Sequence, residues 1–127
     1  MLERLVVTRI VSTPEALDLL DLPAGGLMLR IAPDEALLLG VVGVSVDDPH
    51  AIVITDPGWC AVWVDAERTT RFLNHECAWP RPSVRPAFAQ GMVGHLPVKL
   101  WLEADRTLFV VPHVSAEDFG ALLEASL

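Results

Sequence analysis

The residues able to do chemistry are few and scattered. His75-Glu76-Cys77 is the densest run of metal-ligating types. It falls on a predicted helix, where positions i and i+2 point about 200° apart, so His75 and Cys77 do not converge on one ion. Neither Cys-x-x-Cys nor His-x3-His occurs, and His50, His95 and His113 lie far apart in sequence, so no metal site is expected. Cys60 stands between Trp59 and Ala61 on an apolar predicted strand. A nucleophilic thiolate needs a helix N-terminus or cationic neighbours instead. Asp47, Asp48 and Asp56 gather in loops near His50, residue types suited to acid–base work, although aspartates in loops ordinarily form turns. Gly25-Gly26 and the stretch Gly40 to Gly43 lack the Lys-Ser/Thr of a phosphate-cradling loop and any Gly-x-Gly-x-x-Gly fingerprint. These residues lead us to expect no catalytic centre and no cofactor.

Four tryptophans, Trp59, Trp63, Trp79 and Trp101, are the unusual enrichment. Trp59 and Trp63 are four residues apart on one predicted strand and share a sheet face if no bulge intervenes. They suit core filling, or an aromatic surface for a flat-ring ligand or a protein partner. On the ligand reading, Trp59, Trp63 and the nearby Asp56 are the candidate contacts.

These side chains depend on elements that the pattern of residues predicts. Leu5 to Val11 is rich in β-formers and reads as a strand. Ser12-Thr13-Pro14-Glu15 is a helix start, stopped by Leu22-Pro23-Ala24-Gly25-Gly26. Leu27 to Ile31 and Ala36 to Val42 form a hairpin about Pro33-Asp34. Val44 to His50 reads as a loop. Ala51 to Thr55 and Trp59 to Val64 read as strands separated by a turn or bulge at Asp56-Pro57-Gly58. Asp65 caps a helix over Ala66 to Cys77, with Phe72 and Leu73 inward and Arg68, Arg71 and Glu76 outward. Pro80, Pro82 and Pro86 make Trp79 to Ala89 an irregular connection. Met92 to Glu103 reads as one strand bent near Pro97 and therefore at an edge. Thr107 to Val111 pairs back on it, and a last amphipathic helix opens at Val114 to Asp118.

Composition narrows the function classes. The chain has 127 residues, 52% of them hydrophobic, and a net charge of −8. Its pI is near 4.7 and its mean hydropathy is +0.43. The length predicts one domain with one core. The acidic balance argues against nucleic acid and against anionic membranes. No apolar run is long enough for a membrane span, and the N-terminus lacks a secretory pattern, so a cytoplasmic location is expected. Cys60 and Cys77 fit buried thiols in a reducing compartment. The aliphatic excess predicts an apolar patch that a partner covers. Its expected site is the edge strand around Trp101 and the proline-rich connection, with Trp79, Phe88 and Trp101 as interface residues.

Two stretches resemble a known family. Leu29-Arg30-Ile31-Ala32-Pro33-Asp34-Glu35-Ala36-Leu37-Leu38-Leu39-Gly40 is similar to a Pro-Asp-Glu-Trp-Leu-Leu pattern of the sarcosine oxidase gamma subunit family. Ile54-Thr55-Asp56-Pro57-Gly58 through Leu73, with Cys77-Ala78-Trp79-Pro80, resembles that family's strand, turn, strand and helix. Ala36 stands where the family has tryptophan and Pro57 where it has serine. The wider group includes the aminomethyltransferase of glycine cleavage, which implies a folate-handling ancestry, but no folate-binding residue carries over by position. In the amine-oxidising complex the flavins lie in other subunits, so the resemblance implies an accessory role.

Together these readings predict a single α+β domain over residues 1–127. It has an antiparallel sheet, helices packed largely on one face, and a split βαββαβ-like unit. The expected function is that of a non-catalytic, gamma-like accessory subunit assembling with a flavin-dependent oxidase. The alternatives are a module binding a folate-like or other flat-ring ligand, and a self-associating homodimer.

Overall fold

In the computed structural model, residues 2–126 are described. The elements run β1 (Glu3–Val11), α1 (Pro14–Asp18), β2 (Leu27–Ala32), β3 (Glu35–Leu39), β4 (Ile52–Asp65), α2 (Ala66–Glu76), β5 (Ala87–Val93), β6 (Leu96–Leu102), β7 (Arg106–Pro112) and α3 (Ala116–Glu124). The pairs β1–β3, β2–β3, β4–β7, β5–β6 and β6–β7 are all antiparallel, which makes the fold α+β. Among the described residues no helix is long and apolar enough to cross a membrane. The chain clusters into a smaller unit, Val6–Pro57, and a larger one made of Met1–Leu5 and Gly58–Leu127. Each unit has an apolar core cluster of its own.

In the smaller unit the predicted helix start is realised at Thr13, whose Oγ1 accepts from the Ala16 N–H at 3.1 Å, with Pro14 in the first turn. The helix lasts only five residues. Its Leu17 joins Ile10, Ala36, Leu38 and Val41 in the core. The β2–β3 hairpin turns at Pro33-Asp34 as expected, with an irregularity between Arg30 and Ala32. Arg30 holds this corner. Its guanidinium donates to the Pro33 carbonyl at 2.7 Å, to the Pro14 carbonyl at 3.1 Å and to Asp18 Oδ1 at 2.8 Å, joining hairpin to helix.

In the larger unit Asp65 caps α2, its Oδ1 accepting from the Arg68 N–H at 2.8 Å. Phe72 of α2 and Phe119 of α3 both pack on Phe109 of β7, with ring centroids 5.6 and 5.5 Å away. All three rings are fully buried, so losing any one costs about 3–5 kcal/mol. Three expectations are corrected here. First, the strand expected over Met92 to Glu103 is two strands, joined by Gly94-His95. Gly94 has φ +60° and His95 does not take a positive φ, so the turn has the conformation that suits a twisted two-residue hairpin. Consequently β5 is the edge strand, and β6 lies inside with β5 and β7 beside it. The connection from α2 thus supplies a strand absent from the βαββαβ-like scheme.

Second, β4 runs as one strand through Asp56-Pro57-Gly58, where two separate strands were expected. Third, Arg68 does not face outward: its Nη2 donates to the Leu123 carbonyl at 3.2 Å and its Nε is buried. That carbonyl lies in the last turn of α3, where backbone oxygens lack helical partners and attract cations.

Candidate functional site

The strand registers of the larger unit decide which side chains share a face. Cys60, Val62 and Val64 of β4 lie opposite Val111, Phe109 and Thr107 of β7 and look into the core. The alternate residues look the other way. There Trp63 is opposite Leu108, Leu108 opposite Trp101, and Trp101 opposite Phe88, a row crossing all four strands. Trp59, opposite Pro112, is on the same face because β4 has no register shift between Trp59 and Trp63. Trp63, Phe88 and Trp101, singled out separately from the sequence, are therefore neighbours in one row.

Charged groups fix this row. The Arg106 guanidinium sits 3.6 Å from the centre of the Trp63 ring, a close cation–π stack. Arg106 Nε also donates to Glu103 Oε1 at 2.9 Å, and Glu103 Oε2 accepts from Trp101 Nε1 at 3.0 Å. The sequence of contacts Trp63–Arg106–Glu103–Trp101 is closed at its base by the tight β6–β7 turn, where the Glu103 N–H donates to the Arg106 carbonyl at 2.8 Å. Trp63 remains 38% exposed and the Arg106 side chain 49% exposed, whereas Leu108 and Val110 on the same face are buried. At the other end of the face, Lys99 lies 5.3 Å from the Trp59 ring centre. Both β4 tryptophans thus meet a cation of their own chain.

Trp79 has a different place. Its indole Nε1 donates to the Met92 carbonyl at 2.7 Å. The ring lies so close to Gly91 that a Cβ there would come within 2.8 Å of it. The indole thus covers part of edge strand β5, a common way to shield exposed backbone. Asp56 belongs to the smaller unit and lies 3.8 Å from Arg9, which also pairs with Glu35.

Cys60 makes a contact that the sequence did not suggest. Its Sγ is 3.3 Å from His113 Nδ1, and His113 Nε2 is 3.0 Å from Arg4 Nη1. A guanidinium only donates, so Nε2 accepts, the ring hydrogen is on Nδ1, and it points to the sulfur. This tautomer cannot take a proton from the thiol at Nδ1 and offers no Nδ1 lone pair to a metal. With Cys60 3% exposed, the trio ties β4 to the end of β7 and is not arranged as a nucleophile and its base. Among the described residues no group of three or more His, Cys, Asp or Glu side chains could hold a metal ion.

His75 is exposed on α2, and Cys77 ends that helix half-buried. Asp48 Oδ2 accepts from Ser12 Oγ at 2.6 Å and Oδ1 from the His50 N–H at 2.9 Å. The Ser12 hydroxyl first, and the His50 N–H second, hold its carboxyl below the usual value of 3.8. His50 meets Asp48 through its backbone, so this is a turn and not an acid–base couple. An open depression of about 270 Å3, lined by Gln90, Gly91, Met92, Pro97, Val98 and Lys99, lies along the β5–β6 hairpin. Ligand sites bury most of a small molecule, which an open depression of this size does not.

Arg106 and Glu103 were missed because the sequence reading leaves them at the link between the strand ending at Glu103 and the one starting at Thr107. Their i, i+3 spacing was the available signal; their position beside Trp63 depends on the β4–β7 register. No family model, curated protein sequence or solved structure matches the chain.

Proposed function

We propose that this chain is a non-catalytic accessory domain that docks on another polypeptide through the Trp63–Arg106–Glu103–Trp101 patch, with Phe88 beside it. The observation that supports this reading is the stack of Arg106 on Trp63 at 3.6 Å while its Nε is held by Glu103. Tryptophan and arginine are the residues that most often dominate binding energy at protein interfaces. Here both are half-exposed and already oriented, which lowers the entropy cost of binding. The resemblance to sarcosine oxidase gamma subunits suggests the class of partner, a flavin-dependent amine oxidase. We also read the helices as packed largely on one face of the larger unit's sheet, since α2 and α3 each set a phenylalanine against Phe109.

The test is affinity capture of the full-length chain from its native lysate, in parallel with Trp63→Glu and Arg106→Glu. Wild type should retain a defined polypeptide in stoichiometric amount. Both variants should lose it while remaining folded, their melting temperatures lowered by no more than the few degrees that loss of the stack accounts for, because both side chains are half-exposed. Equal capture by the variants, or none by wild type, would overturn the proposal. Against a flat-ring ligand stands the cation beside each β4 tryptophan, which such a ligand must displace. Saturable quenching of tryptophan emission by a reduced folate or a flavin, relieved by Trp63→Leu, would favour that reading instead.

A further inference from the structure

Residues 49–57 read Pro-His-Ala-Ile-Val-Ile-Thr-Asp-Pro, a run almost symmetric about Val53. Their place in the fold gives this symmetry a use. Ile52, Val53 and Ile54 open β4, and they are 54%, 49% and 50% exposed, followed by an exposed Thr55. Successive strand residues point to opposite faces, so this stretch is uncovered on both. One edge of β4 is bonded to β1; on the other edge the ladder with β7 covers only Trp59 to Asp65 and does not extend along this stretch, so a further strand can add on that side alone. Three consecutive β-branched aliphatic side chains without a charge are a strand that ordinarily requires protection from other chains.

We propose that this stretch pairs antiparallel with its counterpart in a second copy of the chain, about a two-fold axis through Val53. An antiparallel pair with two-fold symmetry must set some residue opposite itself, so only a few registers exist. With Val53 on the axis, Ile52 faces Ile54, Ala51 faces Thr55 and His50 faces Asp56 of the other copy. Two hydrophobic pairs and two opposite-charge pairs result, the latter when His50 is protonated. An axis at Ile52 sets Asp48 against Asp56, two carboxylates, and an axis at Ile54 sets Asp56 against Ile52. Charge and shape therefore select Val53.

The ends of the run agree with this register. Pro49 falls opposite Pro57, and neither has an N–H to donate, so the ladder stops on both sides after the seven residues 50–56. That closes a dimer and does not seed an open stack. The His50 and Ala51 N–H groups are already held by Asp48, so at this end Ala51 offers only its carbonyl and the contact from His50 to Asp56 is made by the imidazole. Asp56 lies 3.8 Å from Arg9 within its own chain, and its two oxygens can serve both partners. The interface shares no residue with the Trp63 patch and does not depend on that proposal.

The experiment is sedimentation equilibrium of the full-length chain over a wide concentration range. Wild type should be a reversible dimer. Val53→Lys places two ammonium groups together on the axis and should give a monomer with unchanged circular dichroism, whereas Val53→Thr should stay dimeric. His50→Glu should weaken the dimer. Should Val53→Lys fail to fold, Val53→Cys decides: directly opposed strand residues have Cα atoms about 4.5–5.5 Å apart, within disulfide reach, so mild oxidation should cross-link the copies. A monomeric wild type would overturn the proposal. So would a dimer that survives Val53→Lys, or a Val53→Cys variant that does not cross-link.

Discussion

Arg106 serves two partners at once, a tryptophan face and a carboxylate, and this defines the patch chemically. A guanidinium suits the position because it is planar, weakly hydrated and able to stack while its N–H groups donate sideways. Lysine, a compact and strongly hydrated ammonium, lacks the planar fork that stacks and donates sideways at once. The stack should be measurable in the isolated chain. In a double-substitution cycle of Trp63→Leu with Arg106→Met, urea unfolding should show a coupling of about 0.5–1 kcal/mol, the range for exposed cation–π pairs. Strictly additive losses would mean that the stack contributes nothing in solution. At this scale the sequence was legible where chemistry follows strand period: Trp59 and Trp63 do share a face. Their cationic neighbours were not legible. Asp65 lies opposite Arg106, and such a pairing across some forty residues of chain is set by tertiary register, which local pattern does not encode.

Caps and turns are where local pattern carries most information, and here the elements followed it closely. Thr13 and Asp65 start their helices, and Pro33-Asp34 turns its hairpin, because short polar side chains and a fixed φ act within a few residues. The hairpin at Gly94-His95 was hidden by Pro97, read as a bend. Pro97 is paired with Met92 in a regular ladder, and the glycine supplying the positive φ was the overlooked signal. The loop expected over Val44 to His50 is braced by Asp48, and that brace has a pH signature. The Asp48 carboxyl titrates below its usual value of 3.8 when folded. Its contribution is therefore present above that value and is lost as pH falls through the lower, folded one. The melting temperature of wild type should exceed that of Asp48→Ala by a constant margin above about pH 5, and the margin should shrink as pH drops below the usual carboxylate range. A margin that does not change with pH down to acid unfolding would contradict the assigned hydrogen bonds.

At the scale of the whole molecule, an acidic, aliphatic chain forms two units, each with an apolar core cluster, and we propose a surface for another chain on each. One is the aromatic and ionic patch of the larger unit; the other is the bare aliphatic start of β4 in the smaller. Composition predicts that apolar side chains stay exposed but not where, since exposure depends on which strands lie inside the sheet. Trp101, expected on an edge, is on the internal strand β6, and the edge strand β5 is shielded by Trp79. We propose that another polypeptide binds at the Trp63 patch. Hydrogen–deuterium exchange on the captured assembly, against the chain alone, tests it most directly. Binding at the patch should slow exchange in peptides spanning Trp101 to Leu108 and those containing Trp63, independently of any change at Ile52 to Thr55. Unaltered exchange across Trp101 to Leu108, with protection elsewhere in the larger unit, would contradict it.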